Sequence, residues 1–452
     1  MNNLRKSIVC IFIGALIASC GTAAPVSIVA LTETIPPPIT AISPTSKPLP
    51  IAADTPTPTP TLPVSAAPDG LRLRMAYIID GNLYFQDGEN SPAQLTDSEE
   101  KNSLPTFSDD GEKIIFYRGF VPHELYSINT DGTDEKVLVT GNLLGSLSLD
   151  YDKFTEIISL AYVPDTHLVL FNTRQLSQEA FDQKDFNRTD SKENFDLLSV
   201  NTDTGELRIL LEKGTGGDFF ISPNGNMVAI LVNGHIDVIN MDGQMVHRSL
   251  VDYHVTHPYT LRPKVFWNAN STEFTVTLPK REIFDLSGPE TLLVGQYSVD
   301  GSKDVVMAFD PPVLDGDYDV SPDGNWILYN YFYYPAKTDE SITSGLYLGN
   351  LYDKSTQLYA HGTNLPIWHP DSKHFVFNGP FLGDVDGPPS SMGYGLFLGW
   401  FDSTRYLLYQ PEMKNLLLVE IGGDFVSIPH QIPSSSFGGG DATFSFVSVS
   451  SE

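Results

Sequence analysis

Aspartates gather in two short segments of the sequence, and carboxylate oxygens are the ligands that calcium prefers in proteins. The first segment is Asp315-x-Asp317-x-Asp319 and the second is Asp384-x-Asp386-Gly387. Calcium takes six to eight oxygens, and neither segment has the twelve-residue loop spacing that often supplies them. We interpret both as solvated turns. Asp315, Asp317 and Asp319 are only weak metal candidates, so we predict no metal and no other cofactor.

Imidazoles are the second group that could do chemistry. The ten histidines are scattered, and the nearest pairs are His254-x-x-His257 and His369 with His374. Neither pair has the helical context that places two histidines on one side of a metal ion. We therefore expect these residues to be polar members of loops and strands.

Motifs of known catalytic machinery are absent from the sequence, which has no G-x-S-x-G, H-E-x-x-H, P-loop or C-x-x-C pattern. We therefore predict no catalytic residue. Two carboxylates brought together from distant parts of the chain could still hydrolyse or eliminate a glycoside, and a linear sequence does not reveal such a pair.

Composition points to an acidic all-β chain. There are 56 acidic against 27 basic side chains, giving a net charge of −29, and 36 glycines that suit many tight turns. Such a charge repels phosphate backbones, so we expect no nucleic-acid partner. It favours solubility outside the cell, although a cationic ligand would also match it.

The first twenty residues read as a leader. Arg5 and Lys6 precede an apolar run over 8–17, and the leader ends in Ile17-Ala18-Ser19-Cys20. The run is shorter than the roughly 20 residues of a membrane span. The last four residues resemble the lipobox of bacterial lipoproteins. That resemblance implies a lipidated Cys20 and an extracytoplasmic chain anchored to the bacterial membrane; the alternative is an ordinary signal peptide with a chance cysteine.

Residues 21–68 form a second segment, which contains 12 of the 33 prolines. A segment of this composition does not build a core and tends to the extended polyproline II conformation. We predict a disordered tether. At about 3.1 Å per residue it would reach roughly 150 Å.

Residues 69–452 carry an internal repeat. The clearest unit, residues 105–138, reads as four strands joined by Asp-Gly turns and a loop, which makes one antiparallel blade. Its opening recurs at 160–171, 219–232, 265–278, 318–331, 366–377 and 398–409. We therefore predict a single β-propeller of four-stranded blades.

The turn residues in these openings have structural roles. In Ser321-Pro322-Asp323-Gly324, proline presets φ, aspartate hydrogen-bonds the turn backbone and glycine adopts positive φ. The structural turn residues that we assign are Asp110, Gly111, Asp323, Gly324 and Asp371.

The number of blades follows from the spacing of the openings. Consecutive turn residues lie 55, 59, 46, 53, 48 and 31 residues apart, and the last separation is short for a full blade. Residues 75–96 supply three strands without an opening one, and residues 442–450 form an orphan strand. Joining them closes the ring and leaves no free edge. We count seven blades, with eight as the alternative.

These units are similar to the WD-repeat-like propellers of the TolB type. The similarity covers residues 73 to about 430 and implies a propeller fold. It implies little about function, because such propellers serve as binding platforms, translocation partners and enzyme domains.

Blade topology sorts the connections into two faces. The short Asp-Gly turns share one face, called the turn face below, and the long insertions share the other, called the loop face. The insertions are Gly141–Glu156, Arg174–Asn194, Asp252–Pro263, Pro279–Glu290, Tyr333–Ser344 and Gly379–Gly395. Repeat proteins often bind on the face that collects insertions.

Aromatic residues of the loop face are our candidate ligand-binding residues: Tyr253, Tyr259, Phe332, Tyr333 and Tyr334. Each could instead pack down and close its loop. We predict a monomeric module that binds or scaffolds a protein, peptide or glycan. The alternative is a hydrolase or lyase that uses carboxylates in the central channel.

Overall fold

The structure is a computed structural model that describes residues 71–120, 123–148, 153–177, 192–232, 234–253, 263–279, 292–309, 313–333, 343–362, 366–377, 381–430, 432 and 444–450. These residues form eight antiparallel sheets, each one blade. Seven sheets have four strands. The sheet of the third blade has a fifth strand, of two residues, which pairs with the end of the second strand of that blade.

The strands are given blade by blade in chain order. Blade 1 contains β1 (Leu71–Ile79), β2 (Asn82–Asp87) and β3 (Ala93–Gln94). Blade 2 contains β4 (Asn102–Phe107), β5 (Lys113–Arg118), β6 (Glu124–Asn129) and β7 (Lys136–Val139). Blade 3 contains β8 (Lys153–Tyr162), β9 (Leu168–Ser177), β10 (Lys192–Glu193), β11 (Leu197–Asn201) and β12 (Leu207–Leu211). Blade 4 contains β13 (Asp218–Ile221), β14 (Met227–Val232), β15 (His235–Asn240) and β16 (Met245–Asp252).

The second half of the ring repeats this order. Blade 5 contains β17 (Lys264–Trp267), β18 (Glu273–Pro279), β19 (Leu292–Ser298) and β20 (Lys303–Phe309). Blade 6 contains β21 (Val313–Val320), β22 (Trp326–Tyr333), β23 (Thr343–Asn350) and β24 (Thr356–His361). Blade 7 contains β25 (Ile367–Trp368), β26 (His374–Phe377), β27 (Phe381–Asp384) and β28 (Gly387–Ser391). Blade 8 contains β29 (Leu396–Trp400), β30 (Arg405–Gln410), β31 (Asn415–Glu420) and β32 (Phe425–Ile428), and β33 (Phe444–Ser450) follows it.

The last strand completes the first blade. β33 pairs antiparallel with β1, from Leu71 opposite Ser450 to Tyr77 opposite Phe444, and it is the opening strand that β1 to β3 need. Closure by the C-terminal strand was predicted from residues 442–450, and this pairing agrees with it. The ring therefore exposes no unpaired edge at this joint.

Each blade packs between two neighbours, which explains the burial along its strands. The second strands are buried on both faces and read as continuous apolar runs, as in Met227–Val232 of β14 and Arg405–Gln410 of β30. The outermost strands are mostly exposed, as in β24 and β32. Apolar clusters join the blades around the ring, and the first and eighth blades share the cluster that contains Met75, Tyr77, Leu407 and Tyr409.

The prediction of an all-β propeller is confirmed, with the alternative count of eight blades; seven is one too few. Blades 7 and 8 are both complete, although their openings lie only 31 residues apart. Blade 7 fits because its strands have two to five residues and Val385 with Asp386 alone connects β27 to β28. Residues Gly379–Gly395, predicted as an insertion, contain those two strands.

One helix lies among the described residues. α1 (Gly141–Leu147) follows Thr140, whose side chain accepts a hydrogen bond from the Leu143 N–H at 3.1 Å and caps the helix. Its Leu144 is buried in the apolar cluster between blades 2 and 3. In the described part of the chain, no helix is long and apolar enough to cross a membrane.

Candidate ligand-binding face

The first turns of blades 2 and 6 are closed by their own side chains. In blade 6, the Ser321 hydroxyl donates to Asp323 Oδ1 at 2.6 Å, and the Asn325 N–H donates to the same oxygen at 3.0 Å. Blade 2 repeats this arrangement with Ser108 and Asp110, where the hydroxyl bond is again 2.6 Å. Gly324 has a φ of +73°, which a β-carbon would disfavour.

The same turns connect neighbouring blades. The Asp323 N–H donates to the Ser372 hydroxyl of blade 7 at 2.9 Å. A β-carbon on Gly324 would lie 2.6 Å from Asn268 Oδ1 of blade 5, and one on Gly111 would lie 2.7 Å from Val449 of β33. These contacts are consistent with the structural role assigned to Asp110, Gly111, Asp323 and Gly324.

The predicted aromatic ligand-binding residues differ in where they lie and in whether the structure describes them. Tyr253 packs against the cluster between blades 4 and 5, and its hydroxyl donates to the Val232 carbonyl at 2.7 Å. This geometry matches the packed-down alternative. Phe332 and Tyr333 lie at the end of β22, where Tyr333 is paired with Thr343, and their side chains lie outside the described set. Tyr259 and Tyr334 lie outside the described residues.

Other apolar residues of the loop face, which were not predicted from the sequence, are exposed to solvent. Phe120, Tyr394 and Met413 are 83%, 61% and 65% exposed, and each belongs to a connection on that face. Phe195, in the connection before β11, is exposed as well. Among the large apolar residues exposed in described connections, Tyr352 alone lies on the turn face. The sequence feature that could have indicated these residues is an apolar residue in a short connection flanked by glycine or proline, as in Gly119-Phe120-Val121-Pro122.

The aspartates of β21 line up along one strand rather than in a loop. Asp315, Asp317 and Asp319 alternate on β21, and the side chains of the first two lie outside the described set. Burial raises the pKa of Asp319 to about 6. Its oxygens accept from the Val320 and Trp368 N–H groups at 2.9 and 3.4 Å. Asp319 belongs to neither cluster of three potential metal ligands found among the described residues.

A histidine joins blades 2 and 3 on the turn face. His167 Nε2 lies 2.8 Å from Asp110 Oδ2, and its Nδ1 lies 2.8 Å from Asp203 Oδ2. Burial alone would lower the pKa of His167, but the bonds to Asp203 and Asp110 outweigh it and raise that pKa. Because carboxylates only accept hydrogen bonds, both contacts are made at once when the imidazole carries two protons.

Two cavities border this histidine. One, of about 470 Å³, extends towards Arg208 and Asp242, and the other, of about 430 Å³, is lined by Asp109, Asp110 and Asp165. His167 and Thr166 line both cavities. The turn face therefore presents polar, acidic cavities, whereas the described loop-face connections present exposed apolar side chains.

The fold defines the chain as a single eight-bladed β-propeller. No family model and no curated protein matches the sequence. Solved structures with a similar fold include an oligogalacturonate lyase in complex with manganese, at 16% identity over 68% of this chain and 81% of that one, with a TM-score of 0.41.

Two further structures share the fold. TolB from Acinetobacter baumannii is 12% identical over 83% of this chain and 66% of its own, with a TM-score of 0.31. The β-propeller domain of the Trilobed protease from Pyrococcus furiosus is 13% identical over 74% of this chain and 97% of its own, with a TM-score of 0.40. A TolB structure is thus among those similar to this chain, as the predicted resemblance to TolB-type propellers implied, and the propeller fold itself is shown by the eight blades described above.

Proposed function

We propose that this chain is a lipid-anchored, extracytoplasmic propeller that binds or scaffolds a protein, peptide or glycan through its loop face. The single observation that supports this proposal is the exposure of Phe120, Tyr394 and Met413 in connections of that face. Exposed large apolar and aromatic residues are typical of the centres of binding surfaces, because burying them under a partner removes apolar area from water.

The two faces differ in a way that suits one of them for binding. Turn-face residues are engaged in hydrogen bonds within and between blades, as Asp323 is with Ser321 and Ser372. Substitutions at such residues would break hydrogen bonds that hold the blades together, so these positions are poorly suited to vary with a ligand. Connections of the loop face can vary in length and sequence without breaking those bonds, which favours them as carriers of specificity.

The first described strand begins at the turn face. β1 starts at Leu71, opposite Ser450, and Gly111 of the first turn of blade 2 lies beside Val449. Leu71 therefore lies on the turn face.

The test is ligand capture by the unlipidated Cys20→Ala chain on glycan and peptide arrays. A hit is then compared with the variants Tyr394→Ala and Tyr352→Ala, a matched pair because both are exposed tyrosines in connections, one on each face. We expect Tyr394→Ala, and the predicted Tyr333→Ala with Tyr334→Ala, to weaken capture. A central hot-spot aromatic is worth about 2 kcal/mol or more, which is roughly a 30-fold loss.

Three outcomes would contradict the proposal. Capture that depends on Tyr352 and not on Tyr394 would place binding on the turn face. Capture of nothing on either array, with the chain folded, would remove the support for a peptide or glycan ligand. Turnover of an oligosaccharide from the array would favour the alternative function, a hydrolase or lyase with channel carboxylates.

A further inference from the structure

The first turn of blade 7 differs from those of blades 2, 4 and 6. Blades 2, 4 and 6 have serine at the start of this turn, at positions 108, 222 and 321, and the hydroxyl bonds the turn residue two positions later. Blade 7 has His369 instead, followed by Asp371 and His374. Closing the turn requires only a serine, so two imidazoles here are more than the turn needs.

The three side chains converge through their inner atoms. His369 Nδ1 lies 2.9 Å from Asp371 Oδ1, and His374 Nδ1 lies 2.6 Å from Asp371 Oδ2. Potential ligand atoms of all three residues lie within 4.8 Å of one another. One ion could therefore contact all of them after small side-chain rotations.

The outer nitrogen of His369 fixes its tautomer. His369 is fully buried, and its Nε2 lies 3.1 Å from the Asp402 carbonyl oxygen of blade 8, which can only accept a hydrogen bond. The backbone N–H of Asp371 donates to His369 Nδ1 at 3.1 Å. Nε2 therefore carries the proton, and Nδ1 is the nitrogen with the lone pair that a metal ion could use.

His374 is held through its inner nitrogen. Its Nδ1 lies 2.6 Å from Asp371 Oδ2, whereas its Nε2 lies 3.8 Å from Asp384 Oδ2 on β27, too far for a direct hydrogen bond. Histidines that bind metals usually turn the second ring nitrogen to a carbonyl or carboxylate, which fixes the ring and raises its basicity. The Asp402 carbonyl occupies that outer position for His369.

In the structure the three side chains are held together by hydrogen bonds, since the Asp371 N–H donates to His369 Nδ1 at 3.1 Å and His374 Nδ1 lies 2.6 Å from Asp371 Oδ2. A metal ion would replace these bonds. It would take the lone pair of each Nδ1 and one carboxylate oxygen, and binding would displace any proton on His374 Nδ1.

We propose that His369 Nδ1, an Asp371 oxygen and His374 Nδ1 bind one divalent transition-metal ion of the zinc class. Two imidazoles and one carboxylate suit zinc and its first-row neighbours, whereas calcium and magnesium prefer oxygen ligands. Three protein ligands leave a coordination position for water or a ligand group. The Asp371 and His374 side chains, 32% and 21% exposed, give the ion a path from solvent.

One neighbouring cation bears on the proposal. Lys373 Nζ lies 3.7 Å from both Asp384 Oδ2 and Asp386 Oδ2, so its charge is directed to those carboxylates. Asp384 therefore does not add its full charge to the site.

The test is titration of the full chain with Zn²⁺ by calorimetry, repeated with Co²⁺ while its visible ligand-field absorption is followed. We expect one tight site, with proton release on binding and weaker binding as pH falls and the imidazoles protonate. His374→Ala should remove the tight site. Asp384→Asn, which removes a nearby charge but no ligand, should weaken it less than His374→Ala does.

His235→Ala is the matched control, since His235 also lies beside an aspartate, Asp237, with Nε2 3.4 Å from Oδ1. It should leave Zn²⁺ binding unchanged. Circular dichroism of each variant shows whether it is folded, and X-ray absorption of the Zn²⁺ complex counts imidazole ligands. Binding of Zn²⁺ that is equal in wild type and His374→Ala, or a spectrum with oxygen ligands alone, would overturn the proposal and leave the three side chains as a hydrogen-bonded cluster.

Discussion

Closure of the ring by β33 makes a strong prediction about stability. Deleting residues 444–452 removes the seven register pairs between β33 and β1. If each pair accounts for about one backbone hydrogen bond of about 1 kcal/mol net, the loss is about 7 kcal/mol before any packing is counted. Domains of ordinary stability have about 5–15 kcal/mol in total, so the truncated chain should be at the edge of folding.

A single substitution gives a graded version of the same test. The Phe446 ring on β33 packs against Phe444 and approaches Gly399 of β29, where an added β-carbon would lie 2.7 Å from the ring. Phe446 is half-buried, so Phe446→Ala should cost about 2 kcal/mol, near half the value for a fully buried phenylalanine. With an unfolding entropy of about 2.1 cal/mol/K per residue, that cost lowers Tm by about 2–3 °C and the deletion lowers it by about 9 °C.

The assay is thermal unfolding followed by circular dichroism or calorimetry, with Phe425→Ala as control. Phe425 lies on the outer strand β32 and is exposed, so its removal should change stability by less than about 0.5 kcal/mol. A deletion variant with the Tm of the wild type would refute the reasoning, since it would mean that the β33 pairing carries no stability.

The remaining predictions concern other parts of the chain. Radiolabelled palmitate should enter the wild type and not Cys20→Ala; equal labelling would contradict lipidation. Asp323→Ala should cost about 1–2 kcal/mol because the Ser321 hydroxyl and the Asn325 N–H lose their acceptor, while ligand capture is unchanged. The pKa of His167 is higher in the folded than in the unfolded chain, so its stabilising effect is complete below the unfolded value of about 6.5 and is lost as pH rises through the folded pKa. His167→Gln should flatten this part of a stability–pH profile. Asp319 has a folded pKa of about 6, above its unfolded value of about 3.9, so the free energy of unfolding should fall as pH rises between these two values. Asp319→Asn should remove that fall from the stability–pH profile.

Local sequence was enough to predict the blades because the signals for turns and strands lie within one unit. Ser321-Pro322-Asp323-Gly324 contains the whole set of hydrogen bonds that closes its turn. The eighth blade was harder to count because β27 and β28 have only four and five residues and lie within Gly379–Gly395, which the sequence presents as an insertion.

Contacts between side chains of different blades could not be predicted from the sequence. His167 meets Asp110, 57 residues earlier, because blades 2 and 3 pack side by side, and no spacing rule encodes that distance. The burial of Tyr253 likewise depends on how blades 4 and 5 fit together. His369 and His374 could be read as a pair from their spacing, but the orientation of the His369 ring depends on the Asp402 carbonyl of blade 8.

The position of Leu71 has a mechanical consequence. β1 is held on both sides, by six register pairs to β2 and seven to β33, and its first residue lies at the turn face. A force applied to the chain ahead of Leu71 and directed away from that face acts along the strand, so it loads the hydrogen bonds on both sides in shear and together. A force across the strand would instead open them one after another. The joint that closes the ring is therefore also well placed to resist pulling on the domain.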